Sequence, residues 1–162
     1  MSVAYRIQDE PIGGWRRVPA LDPFWPLIAM MFGGAWIGAA AFAFNAWMLR
    51  GPTWGREIGL AIAILIGAPL ILIGLAVLRS AGALPGSAFD YAMLLIIAWK
   101  LGLAYWIFFL QRTSHALYEY FGGGANQAQA VPIGALLVFA GGFLKPQVVQ
   151  AVASPLWQVM VS

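Results

Sequence analysis

Cysteine is absent from this chain of 162 residues, histidine occurs once, and only six residues are acidic. Without cysteine there is neither a disulfide nor a thiolate metal site, and one histidine cannot supply the ligands of a zinc, haem or iron–sulfur centre. No metal and no resident cofactor are expected, although a lipid, quinone or pigment held between apolar helices is compatible with an aromatic content of 14%. Charge is scarce as well, at 9% of residues against roughly 25% in a soluble domain. Fifteen charged side chains cannot cover a water-exposed surface of this size. The net charge of +3 is scattered along the chain with no basic run, which excludes the electrostatic footprint of a nucleic-acid binder. No nucleophile stands beside a base, no carboxylates pair at depth and no phosphate loop occurs, so the chain is read as not an enzyme.

What remains is apolar: 62% of residues, against about 45–50% in soluble domains. The expected fold is an all-α integral membrane protein, one domain over residues 1–162, with a polar N-terminal segment at 1–22. A spanning helix needs about 20 mostly apolar residues, and four stretches qualify or nearly do. The first is 24–49, entered through Asp22-Pro23 and closed by Arg50-Gly51-Pro52. Arg16-Arg17, the apolar run and Ala41-Phe42-Ala43 imitate a signal peptide, but the stretch is read as a retained anchor. The second is 57–78, with a kink expected at Pro69. The third is 87–111, preceded by the turn Leu84-Pro85-Gly86 and continued as helix through RTSHALYEYF until Phe121-Gly122-Gly123-Gly124 stops it. The fourth is 130–159, with a kink at Lys145-Pro146, because the 15 residues or so before the lysine rise only ~22 Å.

Four crossings put both termini on one side, and the distribution of arginine and lysine makes that side cytoplasmic. The arginine-rich, Gly/Ala-rich composition suggests a bacterial inner membrane. Trp15, Trp25, Trp47, Trp54, Trp106 and Trp157 fall near proposed span ends, as an interfacial belt requires, whereas Trp36 and Trp99 fall deeper.

One residue does not suit this scheme. Lys100 is the tenth residue of an apolar run from Tyr91 to Leu110, ~15 Å from either end. A mid-span lysine costs roughly 2.5–3.5 kcal/mol on insertion scales. None of the six acids falls at mid-span, and Asn45 is the nearest deep polar residue by type. At 100° per residue Met93, Lys100, Ile107, Gln111 and Tyr118 form one stripe with Ala104 beside it, the face expected to meet protein. Lys100, Asn45, Gln111 and Tyr118 are thus the candidates for an intramembrane contact or pathway. Arg112, His115 and Glu119 form a second stripe at spacings of three and four, expected to be an interfacial salt-bridge face. Gly34-x-x-x-Gly38 and Ala98-x-x-x-Gly102 are candidate helix-packing motifs.

These features favour a small membrane subunit that scaffolds or stabilises a larger complex, with other membrane chains as partners and a hetero-complex preferred to a homo-oligomer. The alternative is a homo-oligomeric channel or small-solute transporter with Lys100 lining the path.

Overall fold

The computed structural model of the chain describes residues 20–120 and 127–151. The expected N-terminal segment up to residue 19, the glycine loop at 121–126 and the continuation of the fourth stretch beyond 151 lie outside the described residues. Among the described residues there are six helices and no strand: α1 (Phe24–Gly33), α2 (Ala35–Leu49), α3 (Trp54–Ser80), α4 (Gly86–Ala92), α5 (Leu94–Tyr120) and α6 (Gln127–Ala151).

The stretch 24–49 is not one helix. Asp22 starts α1, its carboxylate Oδ1 accepting the Phe24 N–H at 2.8 Å and its carbonyl accepting the Trp25 N–H at 2.9 Å. The helix then stops after ten residues at Gly34, whose φ of 92° and ψ of 168° are open to glycine and strained for other residues. From there the chain turns back on itself. Gly38 in α2 lies so close to Met30 in α1 that any Cβ on it would overlap the methionine. Leu21, just before α1, is bonded to Asn45 near the end of α2. Ala20 and Leu49 share one buried cluster with Tyr118. Midpoints between these partners fall at residues 33–34, so α1 and α2 form an antiparallel helical hairpin with its tip at Gly34.

This corrects the single crossing expected from 24–49. A continuous apolar run reads the same whether the helix is straight or folded in half. α1 rises only ~15 Å, and the hairpin enters and leaves at one end of the bundle. Arg50 then closes α2 in a left-handed conformation (φ 42°), its N–H donating to the Ala46 carbonyl at 3.0 Å.

The remaining helices run end to end. α3 starts after Thr53, whose hydroxyl donates to Glu57 at 2.6 Å, and passes Pro69 as helix. α4 and α5 are separated only at Met93, whose backbone stays in the right-handed helical region. α5 ends at Tyr120, well beyond the apolar part of the sequence, and α6 passes Lys145-Pro146 as helix. Two stretches, Trp54–Ser80 and Gly86–Tyr120, are long and apolar enough to cross a membrane; α1, α2 and Val131–Gln147 are shorter apolar helices. Among the described residues the all-helical class is as expected, and four spanning helices are not confirmed.

The hairpin packs between α6 on its α1 side and α3 on its α2 side, and α5 closes against α3, α2 and α1. Leu27, Met30, Ala35, Ala39, Phe42, Ala61, Ile64, Ala104 and Ile107 form the main core. Four of these are alanines, which lets the backbones come close. α1 and α6 run parallel, Trp25 lying against Gly134 and Gly33 against Gly141. Trp99 of α5 seats its ring in the notch at Gly67 of α3 and donates its indole N–H to the Ala63 carbonyl at 3.1 Å.

Because the native chain has no cysteine, the hairpin is directly testable. A chain carrying Ala20→Cys and Leu49→Cys should form an intramolecular cross-link on mild oxidation. In a straight helix the two positions would be ~43 Å apart, and absence of the cross-link in folded protein would refute the fold-back.

Candidate functional site

α5 carries every deep polar group that sequence reasoning singled out in its region. Its buried residues are Ile96, Lys100, Ala104, Ile107, Gln111, Ser114, His115 and Tyr118, at steps of three and four that keep them on one helix face. Of the stripe expected from periodicity, Lys100, Ala104, Ile107, Gln111 and Tyr118 are buried and Met93 is only partly so, while Ile96, Ser114 and His115 join the buried face. It brings three polar stations into the bundle at different heights: Lys100 midway, Gln111 above it and His115 near the helix end.

The middle station is a closed hydrogen-bond clamp. Asn45 Nδ2 donates to the Leu21 carbonyl at 2.9 Å and to Gln111 Oε1 at 3.0 Å, while its Oδ1 accepts the Leu21 N–H at 3.0 Å. Gln111 Nε2 donates in turn to the Phe42 carbonyl at 2.8 Å. Both side chains are buried, Asn45 at 1% exposure and Gln111 at 0%. The Asn45 amide meets both polar atoms of Leu21 as a neighbouring peptide would. One side chain thus ties the root of α1 to the end of α2, and Gln111 ties both to α5. Asn45 is accordingly a structural group and does not approach Lys100. Tyr118 lies farther out still, packed on Ala20 and Leu49 with its ring 6.0 Å from that of His115.

Lys100 belongs to the tip of the hairpin. It lies about three helical turns, ~16 Å, down α5 from Gln111. Gly34 lies ~12 Å down α2 from Phe42, which Gln111 contacts, so lysine and tip are level to within a turn. Lys100 is 7% exposed, faces the interior of its own chain and has an interaction partner there. Lys145 of α6 stands one turn beyond Gly141, the residue that meets Gly33 at the tip. The described acids are elsewhere: Asp22, Glu57 and Glu119 at the hairpin's root end, and Asp90 ~15 Å from Lys100 along the α4–α5 axis. The same tip exposes the carbonyl end of α1 and the N–H end of α2, and Trp36, the second residue of α2, has a buried indole N–H without an acceptor.

The upper station is a groove of about 520 Å³ between the start of α1 and the last turns of α5, lined by Asp22, Pro23, Phe24, Phe108, Arg112, His115, Ala116 and Glu119. Arg112, His115 and Glu119 were expected to form a salt-bridge face. Arg112 is exposed, but His115 is only 5% exposed. Its Nδ1 is 3.9 Å from Glu119 Oε1 and its buried Nε2 has no hydrogen-bond partner. No three histidine, aspartate or glutamate side chains among the described residues are grouped to hold a metal ion.

The packing motifs divide. Gly34 and Gly38 serve the hairpin within the chain rather than contact between chains, whereas Ala98 and Gly102 point outward, and a Cβ at Gly102 would meet nothing within 4 Å. Sequence reasoning missed buried Glu57, whose signal was Thr53 four residues earlier. It also missed the partnership of Leu21 with Asn45, for which no local pattern exists.

Asn45→Ala should destabilise the fold by about 1–3 kcal/mol by stranding the Leu21 backbone and the Gln111 amide. Combined with Gln111→Leu it should cost clearly less than the sum, because both changes break the same network; additive losses in thermal melts would show that the clamp does not act as a unit. No family model, no curated protein and no solved structure matches this chain.

Proposed function

We propose that the chain is embedded in a membrane as three crossing helical stretches, α3, α4–α5 and α6, around a re-entrant hairpin, and that it binds and passes small anions at the hairpin tip. Membrane placement is supported by the outer surface. Only 22% and 28% of the most apolar windows of α3 and α4–α5 are buried in the protein, unlike the core helix of a soluble domain. Phe32, Ile66, Leu70, Val77, Phe109 and Phe139 are among many large apolar side chains facing outward, a surface that water does not tolerate and lipid does.

The observation that carries the anion reading is that a helical hairpin turns back near the level of both Lys100 and Lys145. A non-helical turn at membrane depth is tolerated only inside protein or beside a polar cavity. Broken helices of this kind present N–H groups to anionic ligands and carbonyls to cations. Here the carbonyl end of α1 suits the two ammonium groups, and the α2 N-terminus, the Trp36 indole N–H and both lysines are donors for an anion.

On this reading orientation follows from the described arginines. The root end of the bundle carries Arg50, Arg56 and Arg112, against Arg79 at the opposite end. The root end is cytoplasmic by this rule, and an odd number of crossings sends the end of α6 to the other side.

A second reading keeps the chain as a subunit of a larger membrane assembly. It is favoured by outward small residues that pack on nothing in this chain, Gly55 and Gly59 on α3 and Ala98 and Gly102 on α5, the spacing at which another helix comes close. The lysine no longer argues for it, since Lys100 faces the chain's own interior.

Purified protein reconstituted into vesicles should release chloride faster than empty vesicles. Lys100→Met and Lys145→Met should each reduce that flux at least about tenfold, the loss of one charged contact, while the Ala20–Leu49 cross-link still forms. Flux no greater than that of empty vesicles, or flux indifferent to both substitutions, would sink the anion reading. Co-purification of different membrane chains in mild detergent, with no flux in the isolated chain, would favour the subunit reading.

A further inference from the structure

We infer that Arg56 and Arg79, at the two ends of α3, are binding sites for phospholipid phosphates, one in each leaflet of the membrane. The inference rests on the membrane placement proposed above but not on the anion path. Spacing gives the depth. The two arginines stand ~35 Å apart along the helix axis. Between them Glu57 is the one charged residue, and it is buried with its carboxylate accepting the Thr53 hydroxyl. The hydrocarbon core of a bilayer is about 30 Å thick, and about 40–45 Å with its headgroups. Two cations at that separation on a crossing helix fall just outside the hydrocarbon on opposite sides, at the depth of the lipid phosphates.

Each guanidinium is held in place by a neighbouring helix. That of Arg56 lies 5.1 Å from the ring centroid of Trp106 on α5, and that of Arg79 lies 4.7 Å from the ring centroid of Phe89 on α4. A ring face attracts the charge, but it leaves the guanidinium N–H donors in need of lone pairs. Among the described residues no carboxylate lies within ion-pair distance of either arginine. Both side chains are exposed. At the depth where the spacing puts them, the acceptors that match a guanidinium in charge and in fork geometry are phosphodiester oxygens. Arg50 leans on Trp47 of its own helix at 5.9 Å, and Arg112 rests on no described ring, so neither bridges two helices in this way.

The local uses of these two side chains are already met by other groups. At the carbonyl end of α3 an arginine commonly serves as a cap, but Arg79 is not needed there. The carbonyls of Val77, Leu78 and Arg79 accept the N–H groups of Ala81, Ala83 and Gly82, each at 3.0 Å, and the Val77 carbonyl also accepts the Ser80 hydroxyl at 2.8 Å. At the other end the acid beside Arg56 is engaged by Thr53. What remains to each guanidinium is its ring and the lipid layer.

The test is native mass spectrometry of the full-length chain extracted in mild detergent and titrated with phosphatidylglycerol, with a monoglycosyl diacylglycerol of equal chain length that lacks phosphate, and with soluble glycerol phosphate. Phosphatidylglycerol should be retained about tenfold more tightly than the glycolipid, one charge-assisted contact, and the soluble phosphate should not displace it. Arg56→Gln and Arg79→Gln, both at exposed positions, should each remove one retained phosphatidylglycerol. Trp106→Leu, which keeps the charge, should weaken retention several-fold, whereas Arg112→Gln should leave it unchanged. Equal retention of the two lipids would overturn the inference, as would retention indifferent to Arg56→Gln and Arg79→Gln. A loss in Arg112→Gln as large as in Arg56→Gln would overturn it in favour of net charge alone, and displacement by glycerol phosphate would overturn it in favour of a soluble ligand. Membrane placement has a separate readout. In the otherwise cysteine-free chain, Arg56→Cys and Arg79→Cys should react with a membrane-impermeant maleimide from opposite sides of a sealed membrane. Reaction from one side only would refute the crossing of α3, whereas reaction from opposite sides without a phosphate preference fails here without failing there.

Discussion

Everything in this molecule depends on a peptide unit being met by a side-chain amide. Asn45 accepts the N–H of Leu21 and donates to its carbonyl, and by doing so satisfies the backbone at the root of α1 where no helix does. The cost of leaving those two groups unpaired in an apolar interior is what makes the contact decisive. With it, 24–49 closes as a hairpin at Gly34. Without it, nothing but apolar packing would oppose one continuous helix, which satisfies its own backbone from end to end. Gly38 makes the folded form possible by letting Met30 lie against the backbone of α2.

The limits of what the sequence disclosed follow from this. Helical class, the long apolar stretches and the inward face of α5 are encoded locally, in composition and in the 3.6-residue period, and those features were legible. Lys100, Gln111 and Tyr118 lie on one stripe whatever the rest of the chain does. Asp22 as the start of α1 was legible too, because capping is a matter of neighbouring residues. The fold-back was not, because hydropathy measures how apolar a stretch is and not which way it runs. Gly34-x-x-x-Gly38 was visible, but that spacing inside an apolar run serves equally well for close packing between separate helices. Only the distant pairing of Asn45 with Leu21 and Gln111 distinguishes the two, and a contact across 66 residues leaves no local trace.

The same blindness bears on the lysine. Read as the occupant of a straight four-helix bundle, Lys100 pointed to a partner chain. With the hairpin in place it is buried within its own chain, level with the turn at Gly34. Burial of an ionisable group is most economical where helix ends supply dipoles, and a hairpin tip is the one place in an apolar bundle that has two of them. His115 faces Glu119 as the expected salt-bridge face has it, but it is buried rather than interfacial. A residue at the end of a helix looks interfacial in sequence, but α5 carries it behind the start of α1, where Asp22 and Phe24 enclose it.

α5 is the element common to all three polar stations, and their order along it has a mechanical meaning. Gln111 stands between Lys100 and His115 and is bonded to both hairpin backbone and hairpin side chain. Any displacement of the hairpin root relative to α5 must stretch those bonds before it reaches the tip, so root and tip move together or the clamp breaks. A ligand bound at the tip would thus restrict the root through one rigid body rather than through a chain of side chains, and the coupling free energy is bounded by what the clamp can hold. An amide network of this size holds only a few kcal/mol, so the coupling is of the magnitude by which binding sites ordinarily influence one another.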